Sequence, residues 1–228
     1  MGKIDMKKIN IAIDGPSAAG KSSVAERLAA ELNYTHLDTG SMYRAVAYYV
    51  QSKKIALDDE EKIVDLLRKT RIAVEPDGTI EIGDLRLKGE LYGNEISLAA
   101  SDVSKLKGVR ARLVEIQQEI AEEKGYILDG RDIGTVVLPH AEVKIYLTAS
   151  AEARAQRRTK QNLEKGIEAD YEQILSEIIA RDYQDTHREH SPLMQAEDAI
   201  LVDSSDLDLE EVIEKIVSII EERLEKND

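Results

Sequence analysis

Residues 15–22 read Gly-Pro-Ser-Ala-Ala-Gly-Lys-Ser and follow a short apolar run at 9–13. This is the G-x-x-x-x-G-K-[ST] phosphate loop in the context that it requires, between a strand and a helix. The glycines let backbone N–H groups converge on an anion, and the N-terminus of the next helix points at the same place. Lys21 can reach the β- and γ-phosphates, and the Ser22 hydroxyl can bind Mg²⁺. The motif predicts a nucleoside triphosphate site and leaves the phosphoryl acceptor open.

A second group of candidate residues follows the next apolar run, in the stretch Asp38-Thr-Gly-Ser-Met-Tyr-Arg44. Thr39 or Ser41 can cap the helix that begins here, which is the structural interpretation. Arg44 then lies one turn into that helix, near its positive end. That position suits a second anion better than it suits a purely structural arginine, so we expect a second phosphate there.

The third group stands at 129–135, where an apolar run ends in Asp-Gly-Arg-Asp-Ile-Gly-Thr. Arg131 can bind two phosphate oxygens at once through its planar guanidinium. Asp132 can accept from an amino group or orient an arginine. The alternative is a surface ion pair at a turn.

Two further groups of charged residues lie downstream. The first crowds one predicted helix and comprises Arg154, Arg157 and Arg158. These arginines form either a solvated face or a mobile lid over phosphates. The second recurs at spacings of four and three on the next helix and comprises Arg181, Asp185 and Arg188. It forms either simple helix salt bridges or a face toward a ribose and a phosphate, and local patterns leave both open.

The elements that must position these residues alternate along the chain. Strands are predicted at 9–13, 34–37, 126–129, 143–147 and 199–202. Helices are predicted at 21–32, 41–52, 58–70, 106–124, 151–165, 168–188 and 208–226. Such alternation predicts a parallel sheet with helices on both faces. Sites in these sheets lie at the carboxyl ends of the strands, which is where the first three groups stand.

Residues 71–104 interrupt the alternation. Two short apolar stretches at 71–75 and 79–82 flank a Pro-Asp-Gly turn and predict a β-hairpin, and 84–87 can add a third strand. This pattern indicates a small antiparallel insert. The alternative, a structureless surface loop, is disfavoured because the segment at 71–104 has over 30 residues, which is long for one.

Composition limits the class of protein. The chain has 228 residues and a net charge of −14, which makes it a poor nucleic-acid binder unless its basic residues are concentrated. It has no cysteine, so disulfides and thiolate chemistry are excluded. No apolar run is long enough to cross a membrane. We therefore expect a cytoplasmic protein that binds neither nucleic acid nor membrane.

Taken together, these blocks resemble the bacterial cytidylate (CMP/dCMP) kinases, which belong to the P-loop nucleoside monophosphate kinases. The resemblance runs from about residue 8 to 226, and 129–135 is its most specific block. The matching stretches are 13–22, 38–44, 129–139, 147–150, 154–158, 181–188 and 191–193.

The resemblance implies a P-loop NTPase-type α/β fold with a five-stranded parallel sheet. Its kinase core would comprise 1–70 and 105–228, with an Arg-rich helical lid at about 151–168. Residues 71–104 would be the small antiparallel insert that binds the nucleoside monophosphate. The implied reaction transfers a phosphoryl group from ATP, with Mg²⁺, to CMP or dCMP, and the implied state is a monomer.

The resemblance also assigns residues. Those expected to bind ATP are Gly15, Pro16, Ser17, Ala18, Ala19, Gly20, Lys21, Ser22, Ser23, Arg154, Arg157 and Arg158, with Ser22 as the Mg²⁺ ligand. Those expected to bind the acceptor are Thr39, Tyr43, Arg44, Ser101, Arg110, Arg131, Asp132, Arg181, Asp185 and Arg188. Among these, Ser101, Arg110 and Asp132 would read the cytosine. Lys21, Arg131 and Arg188 are the expected catalytic residues.

One departure from the family and two alternatives remain. The insert is shorter than usual, and 91–96 lacks the family's Ile-Arg-Thr stretch, so contacts from that segment are not carried over. The first alternative is another P-loop small-molecule kinase whose acceptor is UMP, AMP or an alcohol. The second is a nucleotide-dependent switch, which would have no use for arginines at strand ends.

Overall fold

The computed structural model describes residues 8–75, 77–164 and 166–225. Its strands are β1 (Ile11–Asp14), β2 (Thr35–Asp38), β3 (Ile72–Val74), β4 (Ile80–Ile82), β5 (Leu85–Leu87), β6 (Tyr126–Gly130), β7 (Val143–Thr148) and β8 (Ile200–Asp203). Its α-helices are α1 (Lys21–Leu32), α2 (Thr39–Ser52), α3 (Glu60–Arg68), α4 (Asn94–Val103), α5 (Lys107–Ala121), α6 (Ala151–Glu164), α7 (Tyr171–His187) and α8 (Leu209–Glu225). A 3₁₀ turn at Gly89–Leu91 and a π-helical turn at Ile133–Val137 complete the elements.

The main sheet has five parallel strands in the order β2-β6-β1-β7-β8, which confirms the predicted sheet. β1 lies at its centre and is buried throughout. The chain leaves β1 toward β2 on one side and later reaches β7 on the other. This reversal opens a crevice beside the carboxyl end of β1, where open α/β sheets bind their ligands.

Helices cover both faces of this sheet, because alternate strand residues point to opposite sides. On one face, Ile11 and Ile13 pack with apolar residues of α1 and α8. On the other, Ala12 and Leu128 pack with residues of α2, α4 and α5. Without Phe or Trp in the chain, both layers are built mainly from Ile, Leu, Val and Ala.

The interruption at 71–104 contains the predicted three-stranded antiparallel sheet, β3-β4-β5. Pro76 of the predicted turn lies outside the described residues. The structure adds α4, where the sequence predicts no helix. Its apolar residues Ile96, Ala99 and Val103 are spaced three and four apart and join the core beside α2. This spacing was a usable signal that the hairpin pattern nearby obscured.

The sequence places the remaining boundaries within a few residues of those observed. None of the helices in the described ranges is long and apolar enough to span a lipid bilayer.

Candidate active site

The phosphate loop joins β1 to α1 and is shaped by two glycines. A Cβ on Gly15 would lie 1.9 Å from the carbonyl oxygen of Leu147, so only glycine fits there. Gly20 caps α1 in the left-handed region with a φ of 90°. Lys21 is buried and donates to the carbonyl of Pro16 at 2.8 Å. Burial, and then the charge of Arg131, lower the pKa of Lys21 to about 7 against the opposing charges of nearby carboxylates.

Ser22 belongs to a three-residue arrangement that the sequence only partly predicts. Its hydroxyl donates to Oδ2 of Asp129 at 3.0 Å, and Oδ1 of Asp129 lies 2.6 Å from Nε2 of His36. Burial opposes charge on His36, but the hydrogen bond to Asp129 and the charges of Asp129, Asp38 and Glu26 together outweigh it and raise the pKa of the imidazole. The sequence names Ser22 and misses Asp129 and His36. The available signal was an apolar strand that ends in Asp129 beside the phosphate loop.

Asp14, at the carboxyl end of β1, is a second carboxylate that the sequence does not single out. It accepts from the backbone N–H of Ile133 at 2.8 Å and of Gly134 at 2.7 Å. Burial raises its pKa to about 6 although both hydrogen bonds oppose that shift. Asp14 thereby ties the segment that follows Arg131 and Asp132 to the centre of the sheet.

Arg44 lies one turn into α2, as predicted, but the capping residue is different. Asp38 caps α2 by accepting from the N–H of Ser41 at 3.1 Å, so the expectation that Thr39 or Ser41 is the cap is wrong. The helix begins at Thr39 because the carboxylate of Asp38 satisfies its first turn. Asp38 also accepts from Nη2 of Arg44 at 2.7 Å, and the Thr39 hydroxyl donates to the carbonyl of Asp129 at 2.7 Å.

Arg131 and Asp185 form an ion pair between the end of β6 and α7. Nε of Arg131 donates to Oδ2 of Asp185 at 2.7 Å, and both side chains are mostly buried. Burial would raise the pKa of Asp185, but Arg131, together with the charges of Arg181 and Arg188, outweighs burial and lowers that pKa. The partner of Asp185 is thus on another element, and neither Arg181 nor Arg188 forms a hydrogen bond with it in the described structure.

Arg181 faces other cations. Burial, followed by the charges of Arg131, Arg44 and Arg158, lowers its pKa to about 10. Its Nε is buried and has no hydrogen-bond partner among the described residues, and the same holds for Nε of Arg44. Converging guanidinium groups with unfilled donors favour a bound anion, because an anion relieves both their repulsion and their lost hydration.

Asp132 lies beside two buried arginines. It forms an ion pair with Nη2 of Arg110, and its other oxygen is 3.8 Å from Nη2 of Arg188. Arg110 also donates to the carbonyl of Ser104 at 3.1 Å and lies over the ring of Tyr43, 5.4 Å from its centroid. Burial raises the pKa of Tyr43 to about 12, so its hydroxyl stays neutral.

Arg188 stands just past the C-terminus of α7, so it does not share the helical face of Arg181 as the spacing suggests. Its Nε donates to the carbonyl of Ser191 at 2.5 Å. Ser101 lies at the C-terminal end of α4 and accepts from Nε2 of Gln184 at 2.7 Å. The structure therefore brings Asp132, Arg110 and Arg188 into contact, with Ser101 joined to them through Ser104.

Two of the three α6 arginines singled out from the sequence are held by hydrogen bonds. Arg154 is buried and donates to the carbonyl of Ser17 in the phosphate loop at 3.0 Å. It also binds both carboxylate oxygens of Asp182 at 3.0 and 2.6 Å. Arg157 binds the carbonyl of Leu207 and the hydroxyl of Ser204, whereas Arg158 is exposed. Arg154 thus links the phosphate loop to α7.

Comparison with known proteins identifies relatives over almost the whole chain. The model of the family described as "Cytidylate kinase" matches residues 11–222. A cytidylate kinase from Caldicellulosiruptor bescii is 50% identical over 217 residues, which cover 94% of this chain and 96% of that protein. A cytidylate kinase from Streptococcus pneumoniae is 46% identical over 223 residues, covering 96% of this chain and 100% of that protein.

Among solved structures, an uncharacterized protein from Eubacterium ventriosum shares the fold. The TM-score is 0.55 at 13% sequence identity, and the match covers 95% of this chain and 99% of that one. At this identity the similarity concerns the fold alone.

Proposed function

The chain belongs to the cytidylate kinase family, and from that premise we propose how its residues divide the transfer of a phosphoryl group from ATP. The reaction is ATP-dependent phosphorylation of CMP or dCMP, which gives ADP and CDP or dCDP. Family membership favours this reaction over a different acceptor and over a nucleotide switch.

We propose that the acceptor phosphate binds between Arg44 and Arg131, with Thr39 and Tyr43 nearby. The observation that carries this proposal is the convergence of Arg181 on Arg131 and Arg44, with buried donors left unfilled. A dianionic phosphate there would satisfy donors that no described carboxylate fills. The remaining acceptor contacts are proposed to come from Arg181, Asp185 and Arg188, the first two of which would hold the ribose.

On the donor side, we propose that residues 15–23 hold the phosphates of ATP and that Lys21 neutralises charge on them. Arg154, Arg157 and Arg158 complete the proposed ATP site. Arg154 stabilises the phosphate loop, because it donates to the carbonyl of Ser17.

The residues around Ser22 also fit Mg²⁺, the metal that kinases of this type use. The Ser22 hydroxyl and the Asp129 carboxylate are 3.0 Å apart, and oxygen atoms of this kind are the ligands that Mg²⁺ prefers. When bound, Mg²⁺ neutralises charge that develops on the transferred phosphoryl group. We propose that Ser22 is its protein ligand and that Asp129 holds its hydration shell.

The reaction needs no general base from the protein. A phosphate monoester is largely ionised near neutral pH, since its second pKa is about 6. Catalysis then consists of alignment and charge neutralisation, which Lys21, Arg131 and Arg188 are proposed to supply. The insert at 71–104 and the lid at about 151–168 are proposed to close over the phosphates and exclude water, which would otherwise compete as acceptor.

The net charge of −14 supports small-molecule substrates rather than nucleic acid. A monomeric state and a cytoplasmic location are expectations that rest on the family resemblance and on the sequence.

Asp132 tests the proposed base recognition. Cytosine has an amino donor at C4 where uracil has a carbonyl acceptor, so a carboxylate favours cytosine. We expect Asp132→Ala to lower the ratio of kcat/KM for CMP over UMP by about 100-fold, because a site built to bond a polar group strongly rejects its analogue. The KM for ATP should change little.

Asp132→Asn keeps the shape of the side chain and one oxygen that can accept from Arg110, so it serves as the matched variant, whereas alanine leaves Arg110 and Arg188 with no acceptor at this position. This variant should also have a lower ratio of kcat/KM for CMP over UMP than the wild type. Equal losses for CMP and UMP in both variants would contradict the assignment.

A further inference from the structure

Gln184 of α7 makes a contact that none of the site assignments includes. Its Nε2 donates to the hydroxyl oxygen of Ser101 at 2.7 Å, and both residues are partly buried. The bond joins α7 to the C-terminal end of α4, which are 83 residues apart along the chain. Gln184 therefore holds one of the residues proposed to read the base.

A chain of hydrogen bonds connects this contact to Asp132. The Ser104 hydroxyl donates to the carbonyl of Ser101 at 2.8 Å, and the carbonyl of Ser104 accepts from Nη1 of Arg110 at 3.1 Å. Arg110 in turn pairs with Asp132. Ser101 and Asp132 thus belong to one connected network, with Gln184 at one end and the carboxylate at the other.

The direction of the Gln184 bond decides what Ser101 offers to a base. A serine hydroxyl has one proton to donate and two lone pairs to accept. When the Gln184 amide occupies one lone pair, the proton of Ser101 remains free to donate. Cytosine has an acceptor at N3, whereas uracil carries a hydrogen there, so a donor at Ser101 favours cytosine.

We propose that Gln184 is a specificity-determining positioning residue, which holds Ser101 as a hydrogen-bond donor toward the base and so favours CMP over UMP. The inference rests on the proposed function, in which Ser101 and Asp132 read the cytosine. It adds a second point of discrimination, at N3, to the one that Asp132 supplies at the amino group.

Two substitutions with opposite hydrogen-bonding character test the inference. Gln184→Glu places an acceptor-only carboxylate against Ser101, which would take the hydroxyl proton and leave only lone pairs for the base. Gln184→Lys places a donor-only ammonium there, which preserves the direction of the bond. Each added charge should affect the reactions with CMP and with UMP alike. The informative quantity is therefore the ratio of kcat/KM for CMP over UMP.

We expect Gln184→Glu to lower this ratio about tenfold, the effect of one hydrogen bond of about 1.4 kcal/mol, and Gln184→Lys to keep it. Gln173→Glu is the matched control, because Gln173 is an exposed residue of the same helix whose side-chain amide donates to Glu177 and lies outside the proposed site. It should leave the ratio unchanged. In a Ser101→Ala background, Gln184→Glu should have no further effect.

An unchanged ratio in Gln184→Glu overturns the inference. So does an equal fall when Ser101 is already alanine, since Gln184 would then act without Ser101. In both cases the proposed function would still hold, provided that the wild-type enzyme prefers CMP over UMP. A wild-type enzyme with no preference for CMP overturns the proposed function, and this inference with it.

Discussion

At the scale of single residues, the site is a set of buried charges that are paired across elements. Residue type and position at strand ends were enough to single out Arg44, Arg131 and Asp132. They did not identify Asp129, because its contact with Ser22 depends on β6 lying directly beside β1. Nor did they identify the partner of Asp185, since helical spacing reports neighbours on the same helix and not those across the site.

Asp185→Asn should reveal the ion pair with Arg131 through its pH dependence. Breaking a largely buried pair costs about 3 kcal/mol of unfolding free energy at pH 7. The folded-state pKa of Asp185 is lowered, so its contribution is present above the ordinary value of 3.8 and is lost as the pH falls through the folded-state pKa. Denaturant unfolding of both proteins at pH 7 and at pH 3 measures the difference.

The difference in unfolding free energy between wild type and Asp185→Asn should therefore be smaller at pH 3 than at pH 7. Asp84→Asn provides the control, because its partner Lys53 is exposed and the pair contributes little. A gap of the same size at both pH values would show that Asp185 stabilises the fold by some means other than its charge.

At the scale of elements, periodicity found the long helices and missed α4, which lies next to a hairpin pattern within the insert. The cap of α2 was predicted one or three residues too late, at Thr39 or Ser41, because Asp, Thr and Ser all suit a capping position and only the backbone distinguishes them. Arg154, Arg157 and Arg158 of α6 were singled out as candidate site residues because they crowd one predicted helix. Their partners in the phosphate loop and on α7 could not be, since those contacts depend on how the helices pack.

Arg154→Lys should loosen the link between α6, α7 and the phosphate loop. Lysine keeps the charge but cannot reproduce the fork that binds Asp182 and the carbonyl of Ser17 together. We expect faster amide hydrogen exchange at residues 15–20 and a roughly tenfold weaker affinity for ATP, measured by mass spectrometry and calorimetry.

Arg112→Lys is a suitable control for this change, because Arg112 pairs with the exposed Glu115 on the surface of α5. It should leave exchange in the loop unaltered. Wild-type exchange rates in Arg154→Lys would contradict the proposed link.

At the scale of the whole molecule, the alternation of strands and helices was sufficient to predict a five-stranded parallel sheet covered on both faces. The strand order required the structure, because local pattern does not say which strands pair. That order places the ends of β1, β2 and β6 side by side, and so brings the phosphate loop, Arg44 and Arg131 to one edge. Although the protein has a net charge of −14, positively charged side chains are concentrated at the edge where the phosphates of ATP and of the acceptor are proposed to bind.

We propose that this edge of the sheet transfers a phosphoryl group from ATP to CMP or dCMP, and coupled ADP release with CMP, dCMP, UMP and AMP measures that transfer. We expect rapid ADP release with CMP or dCMP, far slower release with UMP and AMP, and only background release without an acceptor. ADP release that does not respond to CMP, or that runs equally fast without any acceptor, would contradict it.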